Sequence, residues 1–371
     1  MNSAADPKFW LALLRAPGVG PAYGARLLEE FSDPESIFKA RPSAWKAAGV
    51  PGSLHEGLKN PDWAGVEQDQ KWLAQDNRGL LTRDDSRYPD RLREITHAPL
   101  ALFYQGNVDL LQRPQLAVVG ARAATPQGLE TAEGFAAELT RRGLLITSGL
   151  AQGIDGAAHR GALSAGGATV AVCGTGLDRV YPARHRELAH EISAKGVLIS
   201  EFSSGTPPLA ENFPRRNRIL SGLSLGVLVV EAAPQSGSLI TARLALEQGR
   251  EVFAIPGSIH SPLSRGGHAL IRQGAKLTET VDDILEELAP QLGDEFEIGV
   301  RTGGAGDDAV EEKLEPALKT VLDALGFEAT PFDTLVERLS LPLETLSSAL
   351  LTLELQGRIA SAPGGAYLRV R

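Results

Sequence analysis

Residues 111–290 repeat one pattern: a short apolar run, then small residues, and in most cases a helical segment before the next run. Each run is about four or five residues long and rich in β-branched residues, which is too short for a buried helix and typical of a strand. The runs are Leu116–Val119, Leu144–Thr147, Thr169–Cys173, Val197–Ile199, Val227–Val230 and Glu251–Ile255.

These runs do not alternate between apolar and polar residues, so both faces of each strand are expected to be buried. Helical segments separate most of them, and a strand–helix–strand order requires parallel pairing. The helical segments include Gln127–Arg142, Asp155–Ala165 and Leu239–Gln248. The sequence therefore predicts an α/β fold with a doubly wound, mainly parallel sheet.

The length of 371 residues is sufficient for two or three domains. Gly- and Pro-broken short helices are predicted at the N-terminus, and helical periodicity returns at the C-terminus after a Gly- and acid-rich stretch. The predicted segments are a helical domain over 1–60, a connector joining the sheet domain over 61–110, the sheet domain over 111–290, a flexible linker over 291–309 and a last domain over 310–371.

Composition excludes several classes of protein. With 43% apolar and 22% charged residues the chain is expected to fold. The polar N-terminus does not read as a secretory signal, and no apolar run is long enough for a membrane span. The single cysteine, Cys173, excludes a disulfide framework and a thiolate metal cluster within one chain, so the cytoplasm is the expected compartment.

Small residues follow the predicted strands, at the sheet edge where ligands of open parallel sheets bind. Glycine there lets backbone N–H groups approach a ligand, and a following helix N-terminus favours an anion, so we expect a phosphate-like ligand. For any one of these glycines a tight turn is the alternative, and Ser236 is equally well explained as a helix N-cap. The segments include Gly120-Ala121-Arg122, Ser148-Gly149, Gly174-Thr175-Gly176 and Ser236-Gly237-Ser238.

The basic residues favour a polyanion over a single cofactor. The dinucleotide fingerprint is incomplete and no Walker sequence occurs. Between residues 110 and 290, 15 of the 17 basic residues are arginine, which binds phosphate oxygens in a fork and stacks on bases. The densest cluster is Phe213-Pro214-Arg215-Arg216-Asn217-Arg218, and Arg122, Arg184 and Arg186 are expected along the same edge. For the cluster, the alternative is a solvated charged loop.

Aromatic residues and acid–base residues each have a functional and a structural explanation. Tyr181, Phe202 and Phe213 are candidates for stacking bases or for packing beneath their loops. No residue set has metal-ligand spacing and no nucleophile–base pair is recognisable, so neither an enzyme nor a bound metal or cofactor is predicted. The acid–base candidates considered were Asp155, His159, His185, Glu201 and Glu231. A Rossmann-like nucleotide hydrolase is the competing class, but its Gly-Gly-x-Gly-Thr loop is absent.

At this point the order of motifs is similar to that of the DprA/Smf family, the DNA-processing proteins of bacterial natural transformation. The resemblance covers about residues 80–285. The segments that carry it are Val118–Arg122, Ser148–His159, Thr169–Pro182, Phe213–Arg218, Ser236–Ala242, Phe253–Gly257 and Leu270–Ala275.

The resemblance implies an extended Rossmann-like domain that binds single-stranded DNA in a basic pocket. It also implies protection of incoming strands, loading of the RecA recombinase onto them, including strands coated by single-strand-binding protein, and homodimerisation late in this domain, around His268 and Leu277. Arg122 matches the family's pocket arginine, with Ala121 in place of the usual serine. Where many members have lysine after Tyr-Pro, this chain has Ala183 followed by Arg184.

The residues that we assign to single-stranded DNA binding combine the small strand-end residues with the arginines and aromatics. They are Arg122, Ser148, Gly149, Gly174, Thr175, Gly176, Tyr181, Arg184, Phe213, Arg215, Arg216, Asn217, Arg218, Ser236, Gly237 and Ser238.

The flanking segments are expected to be helical modules. Pro17-Gly18-Val19-Gly20 joins two predicted helices, either as a helix-hairpin-helix that binds phosphate or as a SAM-like adaptor with a tight turn. Residues 310–371 predict a winged helix with helices Leu314–Leu325, Thr334–Leu339 and Leu343–Gln356 and a hairpin over Arg358–Val370. Its third helix has no cation, which favours protein contact over the duplex binding that a transcription factor needs.

Overall fold

The computed structural model describes residues 7–292, 315–325, 330–339, 341–362 and 364–369. The chain divides into two compact units. The larger unit is Met1–Ala124 together with Thr131–Glu297, and the smaller unit is Thr125–Glu130 together with Ile298–Arg371. The linker predicted over 291–309 lies outside the described residues, except for its first two positions, which end a helix.

From residue 7 onwards, six α-helices precede the sheet. Asp33 accepts a hydrogen bond from Ser36 N and caps one of them, and Asp62 caps another through Gly65 N. The apolar faces of the first five meet in a core that includes Trp10, Leu27 and Trp45, and the sixth packs through Val66 and Trp72 in a second cluster. The helices are α1 Pro7–Arg15, α2 Pro21–Phe31, α3 Pro34–Lys39, α4 Pro42–Ala47, α5 His55–Lys59 and α6 Trp63–Leu73.

One nine-stranded sheet forms the centre of the larger unit. Its order is β1-β2-β6-β5-β4-β3-β7-β8-β9; β2 is antiparallel to both β1 and β6, and every other pair is parallel. The strands are β1 Arg78–Thr82, β2 Ala101–Gly106, β3 Gln115–Val119, β4 Leu145–Ser148, β5 Thr169–Val172, β6 Val197–Ser200, β7 Gly226–Val229, β8 Glu251–Ala254 and β9 Lys276–Leu277. The mainly parallel α/β fold is confirmed, and each of the six predicted strands is present within one residue at either end.

Helices connect these strands. They are α7 Asp90–Arg93, α8 Pro126–Arg141, α9 Ile154–Ser164, α10 Arg186–Lys195, α11 Asn212–Leu223, α12 Gly237–Glu247, α13 Arg265–Arg272 and α14 Val281–Leu292. Helices α8, α9 and α12 match the three predicted helical segments to within two residues at each end. The Phe213–Arg218 cluster lies within α11, so the solvated-loop alternative is wrong: the segment continues a helix whose inner face, including Ile219 and Leu220, is buried against the sheet.

Alternating residues of single strands pack with different helices, which shows that the sheet is covered on both faces. Val170 and Val172 of β5 belong to the core that includes Ile219 of α11. Between them, Ala171 packs with Ala189 and Ile192 of α10. Successive side chains of a strand point to opposite faces, so α10 and α11 cover opposite sides of the sheet.

The order of the parallel strands has a reversal between β3 and β7. In the sheet, β4 and β5 follow β3 on one side of the β3–β7 pair, and β8 and β9 follow β7 on the other side. This matches the 3-2-1-4-5-6 order of dinucleotide-binding folds, with β6, β2 and β1 added beyond β5. The segment 61–110 is thus more than a connector, because β1 and β2 extend the sheet. A crevice is expected where β3 and β7 diverge.

The smaller unit has the winged-helix elements that the sequence predicted. A three-stranded sheet of order β10-β12-β11 accompanies three helices, and the core includes Val321, Leu335 and Leu350. The elements are α15 Pro316–Leu325, β10 Thr330–Pro331, α16 Phe332–Leu339, α17 Leu343–Leu355, β11 Ile359–Ala362 and β12 Ala366–Arg369.

The loops that follow β3 and β4 are in close contact at Gly153. This residue has φ +76° and ψ −128°, a conformation that only glycine adopts readily. A Cβ atom there would lie 2.2 Å from the carbonyl oxygen of Ala121 and 2.6 Å from that of Arg122. The backbone that carries Arg122 is therefore fixed by the start of α9.

We predict that Gly153→Ala lowers the free energy of unfolding by about 2 kcal/mol or more, because backbone strain and a steric clash act together. The matched control is Gly166→Ala, where φ is +78° but nothing lies within 4 Å of the added Cβ. That variant is expected to lose only about 1 kcal/mol. Urea unfolding of both variants measures the difference, and equal losses would contradict the close packing of the two loops.

Candidate nucleic-acid interface

A pocket of about 590 Å³ lies where β3 and β7 diverge. We call it the switch-point pocket. Its walls come from the end of β3, the loops after β4 and β5, the start of α11 and the start of α12. The residues that line it are Val119, Gly120, Arg122, Ala151, Asp155, Tyr181, Pro208, Ala210, Phe213, Pro214, Arg216, Asn217, Leu220, Ser236, Gly237, Ser238, Ile240 and Thr241.

One wall combines a cation with two aromatic rings. The Arg122 guanidinium carbon lies 5.5 Å from the centroid of the Phe213 ring. The Phe213 and Tyr181 centroids are 5.6 Å apart with the rings tilted by 41°. Arg122 is exposed, and Tyr181 is 46% exposed, which is high for a large aromatic side chain. An exposed aromatic beside a free arginine is the arrangement that binds a base and its phosphate together.

Two buried charges form the floor of the pocket. Arg216 is 4% exposed, and its Nη1 donates to the carbonyl oxygens of Gly149, at 2.6 Å, and Val172. Asp155 accepts the backbone N–H groups of Gly149 and Ala151 at 3.1 and 3.3 Å. Burial raises the pKa of Asp155, and the Arg216 charge and these two N–H groups oppose that shift.

Arg216 keeps part of its hydrogen-bonding capacity for a ligand. Its Nε donates to Asn217 Oδ1 at 3.2 Å and its Nη1 is occupied by the two carbonyls. Within the described part of the chain Nη2 has no hydrogen-bond partner. Burial lowers the pKa of Arg216, but a guanidinium stays protonated in proteins, so the pocket floor carries a fixed positive charge.

The opposite wall is the beginning of α12. Ser236 is its N-cap and accepts the N–H of Ser238 at 3.3 Å, while the two hydroxyls are 2.7 Å apart. Asn217 Nδ2 donates to Gly237 O at 3.4 Å, which ties α11 to this turn. Ser236 is therefore a helix N-cap, which was the alternative to a phosphate-binding role, and the same turn lines the pocket.

Several residues assigned from the sequence do not line this pocket. The Ser148 hydroxyl is buried and donates to Val118 O at 2.6 Å. Gly149 makes room for Arg216, whose Nη2 would lie 2.5 Å from an added Cβ, and Gly174 lies beneath the Phe213 ring. The strand-end group Gly174, Thr175 and Gly176 is buried. The Phe213 ring takes the space beside Gly174, and Asp178 Oδ1 with the backbone of Ser203 and Ser204 takes the space beside Gly176, so both glycines allow close packing within the protein.

Three other arginines assigned to DNA binding lie outside the switch-point pocket, each in a different environment. Arg218 forms a two-pronged ion pair with Glu201, at 2.5 and 2.9 Å, and does not reach the pocket. Arg215 is exposed, lies 5.7 Å from the Phe202 ring and lines a different pocket together with Gly18 and Gly20. Arg184 is exposed in a 3₁₀ turn, Ala183–His185, outside the switch-point pocket. These three arginines therefore do not line the switch-point pocket with Arg122.

The acid–base candidates have structural partners. His159 is buried, its Nδ1 lies 2.8 Å from Thr169 Oγ1, and burial lowers its pKa to about 3. His185 Nδ1 lies 3.0 Å from Leu150 O. Burial raises the pKa of the Cys173 thiol to about 11. Among the residues that the structure describes, no group of three or more His, Cys, Asp and Glu side chains is placed to hold a metal ion.

Comparison with known proteins identifies the family. A family model described as DNA recombination-mediator protein A matches residues 79–289, and the DprA winged helix domain matches residues 306–365. Protein Smf of Escherichia coli (strain K12) is 47% identical over 307 residues, which is 82% of this chain and 81% of that protein. The chain belongs to the DprA/Smf family.

Other members of the family agree in sequence and in fold. The DNA processing protein DprA of Streptococcus pneumoniae is 51% identical over 203 residues, 55% of this chain and 72% of that one. A solved structure of DprA from Streptococcus pneumoniae superposes with a TM-score of 0.69 at 39% identity, covering 76% of this chain and 98% of that one. DNA processing protein A from Helicobacter pylori, solved for its single-stranded DNA binding mode, gives 0.53 at 28% identity, over 58% and 96%.

The name of the Streptococcus pneumoniae relative describes DNA processing, and the description of the Helicobacter pylori structure names single-stranded DNA binding. No helix in the described ranges is both long and apolar enough to cross a bilayer.

Some pocket residues were missed by sequence reasoning. Ile240 and Thr241 line the pocket four and five residues after Ser236, about one helical turn further along α12, and this spacing was the available signal. Pro208 and Ala210 line it from the loop before α11, which has no recognisable signal. Asp155 was considered as an acid or a helix cap, whereas it orders the loop that precedes its own helix.

We predict that Arg216→Met lowers the free energy of unfolding by about 2–5 kcal/mol, because two buried carbonyls lose their donor and Asp155 loses its nearby cation. Arg215→Met is the control one residue away; its exposed side chain is expected to change stability by less than about 0.5 kcal/mol. Thermal and urea unfolding test both, and an Arg216 variant as stable as the control would show that the guanidinium does not hold these loops together.

Proposed function

We propose that this chain binds single-stranded DNA in the switch-point pocket. The observation that carries the proposal is the convergence of a free arginine, a partly satisfied buried arginine and two aromatic rings at the diverging ends of β3 and β7. The Helicobacter pylori relative binds single-stranded DNA according to its description, which supports transferring the activity to this chain.

The two arginines have different parts in the proposed binding. Arg122 is exposed, so it pairs with a backbone phosphate at the mouth of the pocket, where its guanidinium also lies beside Phe213. Arg216 directs Nη2 to a phosphate at the floor, and its two carbonyl contacts hold it in position before the strand arrives. Hydroxyls of Ser236 and Ser238 supply neutral donors across the pocket.

The aromatic wall explains a preference for single strands. Tyr181 and Phe213 offer ring faces to bases, and a base reaches such a face only when it is unstacked from a duplex. Stacking of this kind is worth about 1–3 kcal/mol per base and depends little on sequence. We therefore infer binding that discriminates strandedness and not base identity.

The wider biological role follows from the family. We propose that the chain protects incoming single strands and helps to load the RecA recombinase onto them in natural transformation or recombination, including strands covered by single-strand-binding protein. We propose further that it acts in the cytoplasm as a homodimer through the Rossmann-like domain. The match to DNA recombination-mediator protein A supports this role.

The winged helix is proposed to contact protein. Its third helix, α17, exposes Leu343, Leu351 and Leu355, and its charged residues are Glu344 and Glu354. Base-reading helices carry cations or amides towards the groove, so this surface is unsuited to duplex recognition.

Replacing Arg122 with Gln is expected to weaken binding of a poly-dT oligonucleotide about tenfold and to reduce the magnitude of the salt slope by about 0.7. The wild-type slope of log K against log salt is expected near −1.5, for about two neutralised phosphates, and a matched duplex is expected to bind more weakly. Arg243→Gln, an exposed arginine of α12 outside the pocket, is the control. Fluorescence anisotropy over a salt series measures these quantities; equal binding by both variants would reject the pocket.

Recombinase loading is expected to depend on the same pocket. In a RecA ATPase assay on strands coated with single-strand-binding protein, the wild-type chain should shorten the lag before filament formation. Arg122→Gln should restore most of the lag and Arg243→Gln should not. A chain ending at residue 292, without the winged helix, should retain oligonucleotide binding. Full stimulation by the Arg122 variant would separate recombinase loading from strand binding and contradict the proposal.

A further inference from the structure

A second pocket, of about 570 Å³, lies beside α10. We call it the α10 pocket. It is formed by the end of α6, the start of β1, the exposed face of α10 and residues 177–180 of the loop after β5. Leu150 and Val180 line this pocket, while their neighbours Ala151 and Tyr181 line the switch-point pocket. The two pockets therefore share two loops but use different residues of them.

Basic side chains without acidic partners surround the α10 pocket. Arg78, Arg186 and His190 line it, and among the described residues none of the three is paired with a carboxylate. Arg179 also lines it but is paired with Asp178, at 3.0 Å. Arg186 and Arg78 thus leave two uncompensated positive charges around one cavity, which favours an anionic ligand.

An aromatic residue with an unused donor lies in the same wall. The Arg78 guanidinium carbon is 4.7 Å from the centroid of the Trp72 ring. Trp72 is 5% exposed, and its Nε1–H is buried without an acceptor in the part of the chain that the structure describes. An unsatisfied buried donor is costly, so a ligand acceptor that reached this N–H from the α10 pocket would gain a hydrogen bond and remove that cost.

Apolar side chains form part of the remaining wall, and Gln75, Gln105 and Ser193 add neutral polar groups. Leu150, Leu177 and Leu198 face the cavity between the basic groups and Trp72. A small inorganic anion would leave this surface uncovered, whereas a planar heterocycle that carries a phosphate would fill the cavity and use both kinds of wall. The volume is within the range of pockets that hold small organic ligands.

We propose that the α10 pocket binds a nucleoside phosphate. The phosphate is held by Arg186 and Arg78, and the base lies between Trp72 and the leucine side chains, with a ring acceptor directed at Nε1–H. The ligand is either a free mononucleotide or one nucleotide of a bound strand that extends beyond the switch-point pocket. The first source is independent of the proposed function, and the second rests on it.

The test uses the full chain and two probes: dAMP carrying a fluorescent N-methylanthraniloyl group, and a labelled poly-dT oligonucleotide. Arg78→Gln and Arg186→Gln should each weaken binding of the fluorescent dAMP about tenfold or more, since each removes a charge-assisted contact. Trp72→Phe keeps the ring packing and removes only the donor, so a loss of about two- to tenfold is expected. Arg243→Gln, which lies outside both pockets, should bind this probe like the wild type.

The outcomes separate the two sources and the two pockets. If the fluorescent dAMP does not bind but oligonucleotide affinity falls in Arg78→Gln and Arg186→Gln, the bound nucleotide belongs to a strand. Loss of dAMP binding in Arg122→Gln alone would move the ligand to the switch-point pocket and overturn the proposal. It is also overturned if inorganic phosphate competes as well as unlabelled dAMP, or if neither probe distinguishes the α10 variants from Arg243→Gln. Loss of oligonucleotide binding in Arg122→Gln alone concerns the proposed function only.

Discussion

The buried guanidinium of Arg216 organises the functional edge of the sheet. It links the carbonyl oxygens of Gly149 and Val172, at the ends of the neighbouring strands β4 and β5, from a position on α11. The Asp155 carboxylate completes the arrangement from α9 by taking the N–H groups of Gly149 and Ala151. Two charges would be costly here if they lacked partners, but backbone dipoles satisfy both, so the floor of the pocket is set before any ligand binds.

Small residues at the strand ends allow close packing between loops within the protein. Gly153 allows the loop before α9 to touch the carbonyls of Ala121 and Arg122, and Gly149 admits the Arg216 side chain. This close packing fixes the direction of the Arg122 backbone. The exposed arginine and the two aromatic rings then stand on rigid elements, and preorganised positions of that kind reduce the entropy lost on binding.

Arginine takes four different environments within one short region of the surface. Arg122 is exposed beside an aromatic ring, Arg216 is buried on carbonyls, Arg218 is neutralised by Glu201, and Arg215 stacks on Phe202 in another pocket. Net charge therefore says little about where an anion binds on this molecule. What decides it is which guanidinium groups keep unused N–H donors at a concave surface, and Arg78 and Arg186 meet that condition in the α10 pocket.

The local sequence pattern was enough to predict the strands, the mainly parallel sheet, the winged-helix elements and the family. Apolar runs, helix periodicity and motif order are all properties of short segments, so they can be recognised without the tertiary structure. It also indicated that Arg122, Tyr181 and the Ser236 turn lie near one another, since they follow strands whose ends share an edge, and all three line the switch-point pocket. Only the tertiary structure decided which cations are free. The carbonyl partners of Arg216 lie 67 and 44 residues away in the chain, the carboxylate partner of Arg218 lies 17 residues away, and no spacing rule connects them. Burial and ion pairing are long-range outcomes of packing, so they separate residues that look equivalent in the sequence.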